Sequence, residues 1–249
     1  MSGHSKWSTI KRKKAAKDAQ KGRIFTRLIR EITVAAREGG GDEETNPRLR
    51  AAIQDAKNAN MPIANIDKAI KKGTGELPGT SYEDVVYEGY APGGVALYLE
   101  TLTDNKNRTV AEVRHILSKH GGSLGENGSV SWMFNKTGII NVPKTNADED
   151  DVMMVALDAG AEDIEAEDDY FRIKTQPGTL EDVKKAFEEN GISFENAEIT
   201  MEPQNLVSVE GKEAEQVLKL MEALEDQDDM QNVYANFDID DELIEAMNA

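Results

Sequence analysis

Basic side chains are concentrated in the first 37 residues of this 249-residue chain. The segment 1–37 holds eleven Lys or Arg residues and two acidic residues, a net charge of +9, whereas the whole chain carries −18. The other 212 residues therefore carry −27. A cationic segment on an anionic protein favours a polyanionic partner, and nucleic acid is the first polyanion to expect.

Four arginines in this segment have the spacing of one helix face. At about 100° per residue, Arg23, Arg27, Arg30 and Arg37 fall within about 80° of arc. The apolar residues gather on the opposite side: Phe25, Leu28, Ile29, Ile32 and Ala36. Because a guanidinium group matches two phosphate oxygens at once, this arginine face predicts a phosphate-binding track. The alternative is an ordinary solvated helix face.

The residues before Gly22 are basic and carry few large apolar side chains, Trp7 and Ile10. Such a segment is expected to become ordered on a polyanion, and Trp7 suits either stacking on an unpaired base or packing on the core. The candidate nucleic-acid-binding residues are Lys6, Lys11, Arg12, Lys13, Lys14, Lys17, Lys21, Arg23, Arg27, Arg30 and Arg37. Lys68, Lys71 and Lys72 either extend this surface or interact with the dipole of a helix C-terminus.

A polar stretch at 103–109, TDNKNRT, separates an expected strand from an expected helix. Helix N-termini offer free N–H groups to anions, so Asn105, Asn107 and Arg108 are a second candidate contact. The alternative is that these are ordinary turn and cap residues.

The sequence predicts no catalytic residue, no metal site, no cofactor and no small-molecule substrate. The chain has no cysteine, and its histidines are His4, His115 and His120. His115 and His120 lie five residues apart, which is not the spacing that places two imidazoles on one helix face around a metal. The acidic runs at 148–151 and 225–229 are interpreted as a helix N-terminus and a solvated loop.

Composition indicates a globular protein, with 39% hydrophobic and 31% charged residues. No apolar run approaches the length needed to span a bilayer, and the N-terminus lacks the apolar core of a secretory signal. We therefore expect a cytoplasmic protein that does not enter a membrane.

Hydrophobic periodicity predicts an α+β fold with three domains. A basic helical domain at 1–77 holds three helices, one over 23–37, one from Pro47 and one after Pro62. A middle domain at 78–136 plus 204–249 would include a helix from Val110 and a strand over 129–134, with Trp132 and Phe134 in the core. Residues 137–203 show β-α-β-β-α-β order, so we expect a ferredoxin-like domain inserted into the middle one.

Four stretches resemble the YebC/PmpR family: GHSKW at 3–7, GRIFTRLIREITVAAR at 22–37, NMPIANIDKAIKKG at 60–73 and YEGYAPGGVALYLETLTDNKNRTVAEVRH at 87–115. The resemblance weakens after about Lys136, and Arg12 replaces a histidine that many members carry. It implies one helical domain, two α/β domains and no catalysis. Bacterial members are usually described as probable DNA-binding transcriptional regulators, and some are tied to the ribosome and to relief of stalling. A eukaryotic branch activates mitochondrial translation.

These observations predict a nucleic-acid-binding regulator of gene expression, in the first place a DNA-binding transcriptional regulator. One alternative is a translation factor that binds rRNA on the ribosome and relieves stalled translation. Another is a protein-interaction module that binds no nucleic acid.

Overall fold

A computed structural model describes residues 18–240 of the chain apart from 168, with side chains from Gly22 onward. The chain divides into two compact units. One is Trp132–Asn205, and the other joins the chain up to Ser131 with the chain from Leu206 onward. The fold is α+β, as the sequence predicts.

Three helices form the helical domain: α1 (Asp18–Gly39), α2 (Pro47–Asn58) and α3 (Ile63–Gly73). Asn46 fixes the start of α2, because its side chain accepts a hydrogen bond from the Leu49 amide at 3.0 Å and donates to the Ala35 carbonyl at 2.8 Å. Gly73 allows α3 to approach α1, since a Cβ there would collide with the carbonyl oxygen of Thr33. The core residues include Ile32, Ala36, Leu49, Ile53, Ile66 and Ala69.

The middle domain is built on a four-stranded sheet that contains β1 (Glu83–Tyr90), β2 (Ala96–Thr103), β3 (Ser123–Leu124) and β9 (Met230–Ala235). Their order in the sheet is β3-β1-β2-β9. The helices α4 (Lys106–Lys119) and α7 (Gly211–Glu225) share one hydrophobic core with this sheet. Two short strands, β8 (Val207–Ser208) and β10 (Phe237–Asp238), pair in parallel beside it.

The inserted domain is ferredoxin-like. In chain order it holds β4 (Phe134–Pro143), α5 (Glu149–Asp158), β5 (Asp163–Ala166), β6 (Tyr170–Thr175), α6 (Leu180–Glu189) and β7 (Asn196–Pro203). The sheet order is β5-β6-β4-β7 and every neighbouring pair is antiparallel. Val152, Val183 and Phe187 from the two helices are completely buried against this sheet with Ile140 and Ile173.

The predicted insertion is confirmed by strand pairing. β9 returns to the sheet of the middle domain and pairs with β2 in the register Leu97↔Ala235. The inserted domain therefore interrupts the middle one in sequence. The three predicted domain boundaries stay predictions, although β4 begins at Phe134, ahead of the boundary predicted after residue 136.

The predicted strand over 129–134 is wrong. Ser131–Met133 is a short 3-10 helix, and Trp132 is 63% exposed, whereas Phe134 is buried at the start of β4. The reason is Glu88, whose buried carboxylate accepts hydrogen bonds from the amides of Gly128, Val130 and Ser131 at 2.6–2.9 Å. These amides are therefore not available to a partner strand.

Candidate nucleic-acid interface

The arginine face of α1 contacts an acidic turn of the same molecule. This acidic turn, residues 225–229, begins at Glu225, the last residue of α7. Arg23 pairs with the Asp226 carboxylate at 2.5 Å, and Arg27 donates to the carbonyl oxygen of Glu225. A helix C-terminus carries partial negative charge and unsatisfied carbonyls, so it suits arginine side chains.

Arg30 makes the most buried of these contacts. Its guanidinium group donates to Asp229 Oδ1 at 2.8 Å and to the Asp228 carbonyl at 2.6 Å. The side chains of Arg30 and Asp229 are 13% and 1% exposed. The guanidinium group also lies over the ring of Tyr82, 5.2 Å from the ring centroid.

Asp229 is the centre of a network of charged and hydroxyl groups. Its carboxylate accepts from Thr109 Oγ1 at 2.7 Å and from Arg108 Nη2 at 2.9 Å, in addition to Arg30. Burial by itself would raise the pKa of Asp229, but the hydrogen bonds from Thr109 and Arg108 and the charge of Arg30 lower it below its usual value. The interpretation of 225–229 as a solvated loop is therefore wrong for Asp229, because this carboxylate is buried among cationic and hydroxyl donors.

The sequence offers two interpretations of the arginine face, a phosphate-binding track and a solvated helix face, and both require exposed side chains. The structure shows that two of the four arginines are not exposed. Arg27 and Arg30 are half-buried, and burial lowers the pKa of Arg27 although Glu225 and Asp226 act in the opposite direction. Arg23 and Arg37 are exposed, and Arg37 donates to the Ser81 hydroxyl at 2.7 Å. Phosphate binding by these four arginines stays a prediction, and each of them already has a partner in the molecule.

The TDNKNRT stretch forms a helix cap, which is one of the two roles that its sequence predicts. Helix α4 begins at Lys106 rather than at Val110, because the side chain of Asn105 caps it by accepting from the Arg108 amide at 3.1 Å. Arg108 is paired with Asp104 at 2.8 Å and with Asp229 at 2.9 Å, and these two carboxylates raise its pKa. Asn107 is exposed, and nucleic-acid contact by these residues stays a prediction.

Arg48 is a residue that sequence reasoning missed. Its guanidinium group pairs with Glu31 at 2.6 Å, with Glu38 at 2.8 Å and with Asp84 at 3.0 Å. It therefore joins α1 and α2 to strand β1 of the middle domain. Glu31 and Glu38 lie about two helical turns apart and therefore share one face of α1. This spacing could have indicated that both carboxylates pair with one cation.

A different basic surface lies on α3, and it is open to solvent. Lys68, Lys71 and Lys72 have i, i+3 and i+4 spacing, so they share one helix face. Lys68 and Lys71 are exposed and Lys72 is half-buried. Within the residues whose side chains are described, none of the three forms an ion pair or a side-chain hydrogen bond. We call these three residues the lysine face.

The remaining candidate residues lie in the N-terminal segment. Lys6, Lys11, Arg12, Lys13, Lys14 and Lys17 fall outside the described residues. Lys21 lies in the first turns of α1, ahead of the first described side chain. Among the candidate cations with described side chains, Arg23 and Arg37 are exposed but have partners in the molecule, whereas Lys68 and Lys71 are exposed without an ion-pair partner there.

In the described part of the chain, no group of three or more His, Cys, Asp or Glu residues is arranged to hold a metal ion. No helix there is both long enough and apolar enough to cross a bilayer.

Comparison with known proteins gives the family. Residues 5–76 match the family model described as the TACO1/YebC protein N-terminal domain, and residues 82–237 match the TACO1/YebC second and third domain. A protein of Halothermothrix orenii named a probable transcriptional regulatory protein is 58% identical over 248 residues, which is 98% of each chain. One of Syntrophus aciditrophicus with the same name is 59% identical over 250 residues and covers 100% of both chains.

A solved structure shows the same fold. The crystal structure of a conserved hypothetical protein from Aquifex aeolicus superposes with a TM-score of 0.81 at 49% sequence identity, covering 90% of this chain and 93% of that one. The chain therefore belongs to the TACO1/YebC family, whose bacterial relatives are named probable transcriptional regulatory proteins.

Proposed function

We propose that this protein is a DNA-binding transcriptional regulator that holds nucleic acid through its basic N-terminal segment and the lysine face. The observation that carries the proposal is the lysine face on α3, where Lys68 and Lys71 are exposed and none of the three lysines has an ion-pair partner among the described side chains. The names of the relatives agree with it, since they describe regulators of transcription.

The charge distribution supports contact through the helical domain. Segment 1–37 carries +9, and residues 38–72 hold six basic and six acidic side chains. The unit 132–205 holds six basic and eighteen acidic side chains, a net charge of −12. Nucleic acid is therefore attracted to the helical domain and repelled by the inserted domain.

The described basic surfaces suit phosphate contact better than base reading. Asn and Gln, the usual readers of adenine, are absent from positions 23–37, and the arginine face there contacts the acidic turn. Lysines on α3 would bind phosphates as point charges. We therefore expect DNA binding with weak sequence preference, since phosphate contacts position a protein without specifying sequence.

The test is fluorescence anisotropy of the full chain on a labelled DNA duplex across a range of salt concentrations. With on the order of seven phosphate contacts, four from Lys11, Arg12, Lys13 and Lys14 and three from the lysine face, log K should fall against log[salt] with a slope near −6. Replacing Lys11, Arg12, Lys13 and Lys14 by Gln should flatten this slope by about 3. A control variant, with Lys184 and Lys185 of the inserted domain replaced by Gln, should bind as the wild type does. Equal slopes for the quadruple variant and the wild type would exclude the N-terminal segment from the interface.

The same surface favours a second candidate, a translation factor that binds rRNA on the ribosome. Shape and phosphate spacing give specificity on structured RNA without base reading. Competition between a promoter fragment and random DNA, run beside gradient sedimentation with ribosomes, separates the two candidates. DNA binding without ribosome co-migration at low salt would support the transcriptional regulator and exclude the translation factor, and co-migration with ribosomes would support the translation factor. A promoter preference of about a thousandfold would contradict the expected weak sequence preference.

A further inference from the structure

A second exposed surface lies on α5 of the inserted domain and is apolar. Met153, Met154 and Leu157 are 39%, 60% and 51% exposed. On the other side of the same helix, Val152 and Ala156 are completely buried in the domain core. A helix that is apolar on both sides is normally covered on both sides. Within the described residues, α5 is covered only on the side that faces the domain core.

Acidic residues border this apolar surface along both edges. At about 100° per residue, Met153, Leu157 and Met154 span about 100° of arc. Glu149 lies about 40° beyond one edge and Asp158 about 40° beyond the other. Asp150 lies in the first turn of the same face. Glu149, Asp150 and Asp158 form no ion pair within the described part of the chain, so their charges are free to attract a cation.

The surface has the properties of a site for a cationic helix. Methionine side chains are flexible and polarisable, so they adapt to different apolar side chains of a partner. Amphipathic helices bind apolar surfaces through residues at i, i+3, i+4 and i+7. A domain that carries −12 favours a partner with Lys or Arg beside that apolar stripe and repels nucleic acid.

We propose that Met153, Met154 and Leu157 form a docking surface for a cationic amphipathic helix of a partner protein. The apolar side chains of that helix cover the three exposed residues. Its flanking Lys or Arg side chains lie near Glu149 on one edge and Asp158 on the other. This contact is separate from nucleic-acid binding, because it uses the acidic inserted domain rather than the basic helical domain.

The test measures binding of a labelled synthetic peptide to the full chain by fluorescence anisotropy. The probe is a 14-residue peptide of Leu and Lys placed at helical spacing. Replacing Met153, Met154 and Leu157 by Ser should weaken binding at least about tenfold, because the apolar area covered by the peptide is lost. The matched control replaces Ile199 and Leu206 by Ser, residues that are 44% and 46% exposed elsewhere, and should bind within about twofold of the wild type.

Four results would overturn the proposal. Unchanged binding by the triple variant would remove the apolar surface from the contact. Equal binding of a scrambled peptide with the same composition would show attraction by charge alone. A wild-type dimer that the triple variant loses in sedimentation equilibrium would identify the occupant as a second copy of this chain. At least about tenfold tighter probe binding by the Lys11, Arg12, Lys13, Lys14 to Gln variant would identify it as the basic N-terminal segment.

Discussion

The helical domain carries two cationic helix faces that differ in what they contact. The arginine face of α1 meets the acidic turn at the end of α7, and its most buried pair, Arg30 with Asp229, is almost closed to solvent. The lysine face of α3 is open and has no carboxylate partner among the described side chains. Helical spacing of cations therefore does not distinguish a face that contacts the same molecule from a face that is free to contact a partner.

The largest effect is expected for the buried contact between the arginine face and the acidic turn. Replacing Asp229 by Ala should lower the free energy of unfolding by about 3–5 kcal/mol, because Arg30 keeps a buried charge without its carboxylate. The measurement is urea unfolding followed by circular dichroism. The control is Asp226→Ala, which breaks an exposed pair with Arg23 and should cost at most about 1 kcal/mol. Equal losses in the two variants would mean that burial does not distinguish the two pairs.

The same carboxylate should make stability depend on pH. The pKa of Asp229 is lowered in the folded chain, so its contribution is present above the pKa of an unfolded aspartate, about 3.9, and is lost as the pH falls through the folded pKa. The difference in unfolding free energy between the wild type and Asp229→Asn should therefore be largest near pH 7 and shrink below about pH 4. Urea unfolding at several pH values between 7 and 3 measures it.

Other carboxylates with a lowered pKa, such as Glu88, are present in both the wild type and Asp229→Asn. Their contributions therefore cancel in the difference between the two unfolding free energies. A difference that stays constant down to pH 3 would contradict the assignment of Asp229 as an ionised acceptor.

Substitutions in the exposed lysine face should weaken DNA binding and leave the stability of the fold unchanged. Replacing Lys68, Lys71 and Lys72 by Gln should weaken DNA binding about tenfold and reduce the salt slope by about 2 to 3, because three phosphate contacts are removed. The free energy of unfolding should change by less than about 0.5 kcal/mol. Anisotropy and urea unfolding on the same preparations test both parts. Unchanged DNA affinity would exclude the lysine face from the interface.

The smallest effect is expected at the exposed end of the arginine face. Arg23 and Asp226 are 43% and 50% exposed, so Arg23→Gln should cost no more than about 1 kcal/mol of stability. That cost should disappear at about 1 M salt, because the pair is open to screening by ions. A loss that persists at high salt would indicate that Arg23 stabilises the contact by packing rather than by charge.

Local sequence determined much of the fold. The start of α2 follows from Asn46 and Pro47, since an Asn cap and a proline in the first turn have the same meaning in any helix. The order β-α-β-β-α-β in the inserted domain follows from hydrophobic periodicity and turn residues, and β5 and β6 are the two adjacent strands of that order. These features depend on neighbours within a few residues, which the sequence displays directly.

Tertiary structure alone decided where the arginine face and the acidic turn lie relative to each other. Arg30 and Asp229 are separated by 199 positions, and no local pattern pairs them. The same holds for Glu88 and the amide of Val130, a contact that replaces a predicted strand and leaves Trp132 exposed. The physical reason is that periodicity states which side chains share a face, whereas folding brings that face against groups distant in the chain. For the arginines, these groups are carboxylates and carbonyls of the same molecule. The lysines of α3, in contrast, have no such partner among the described side chains and face solvent.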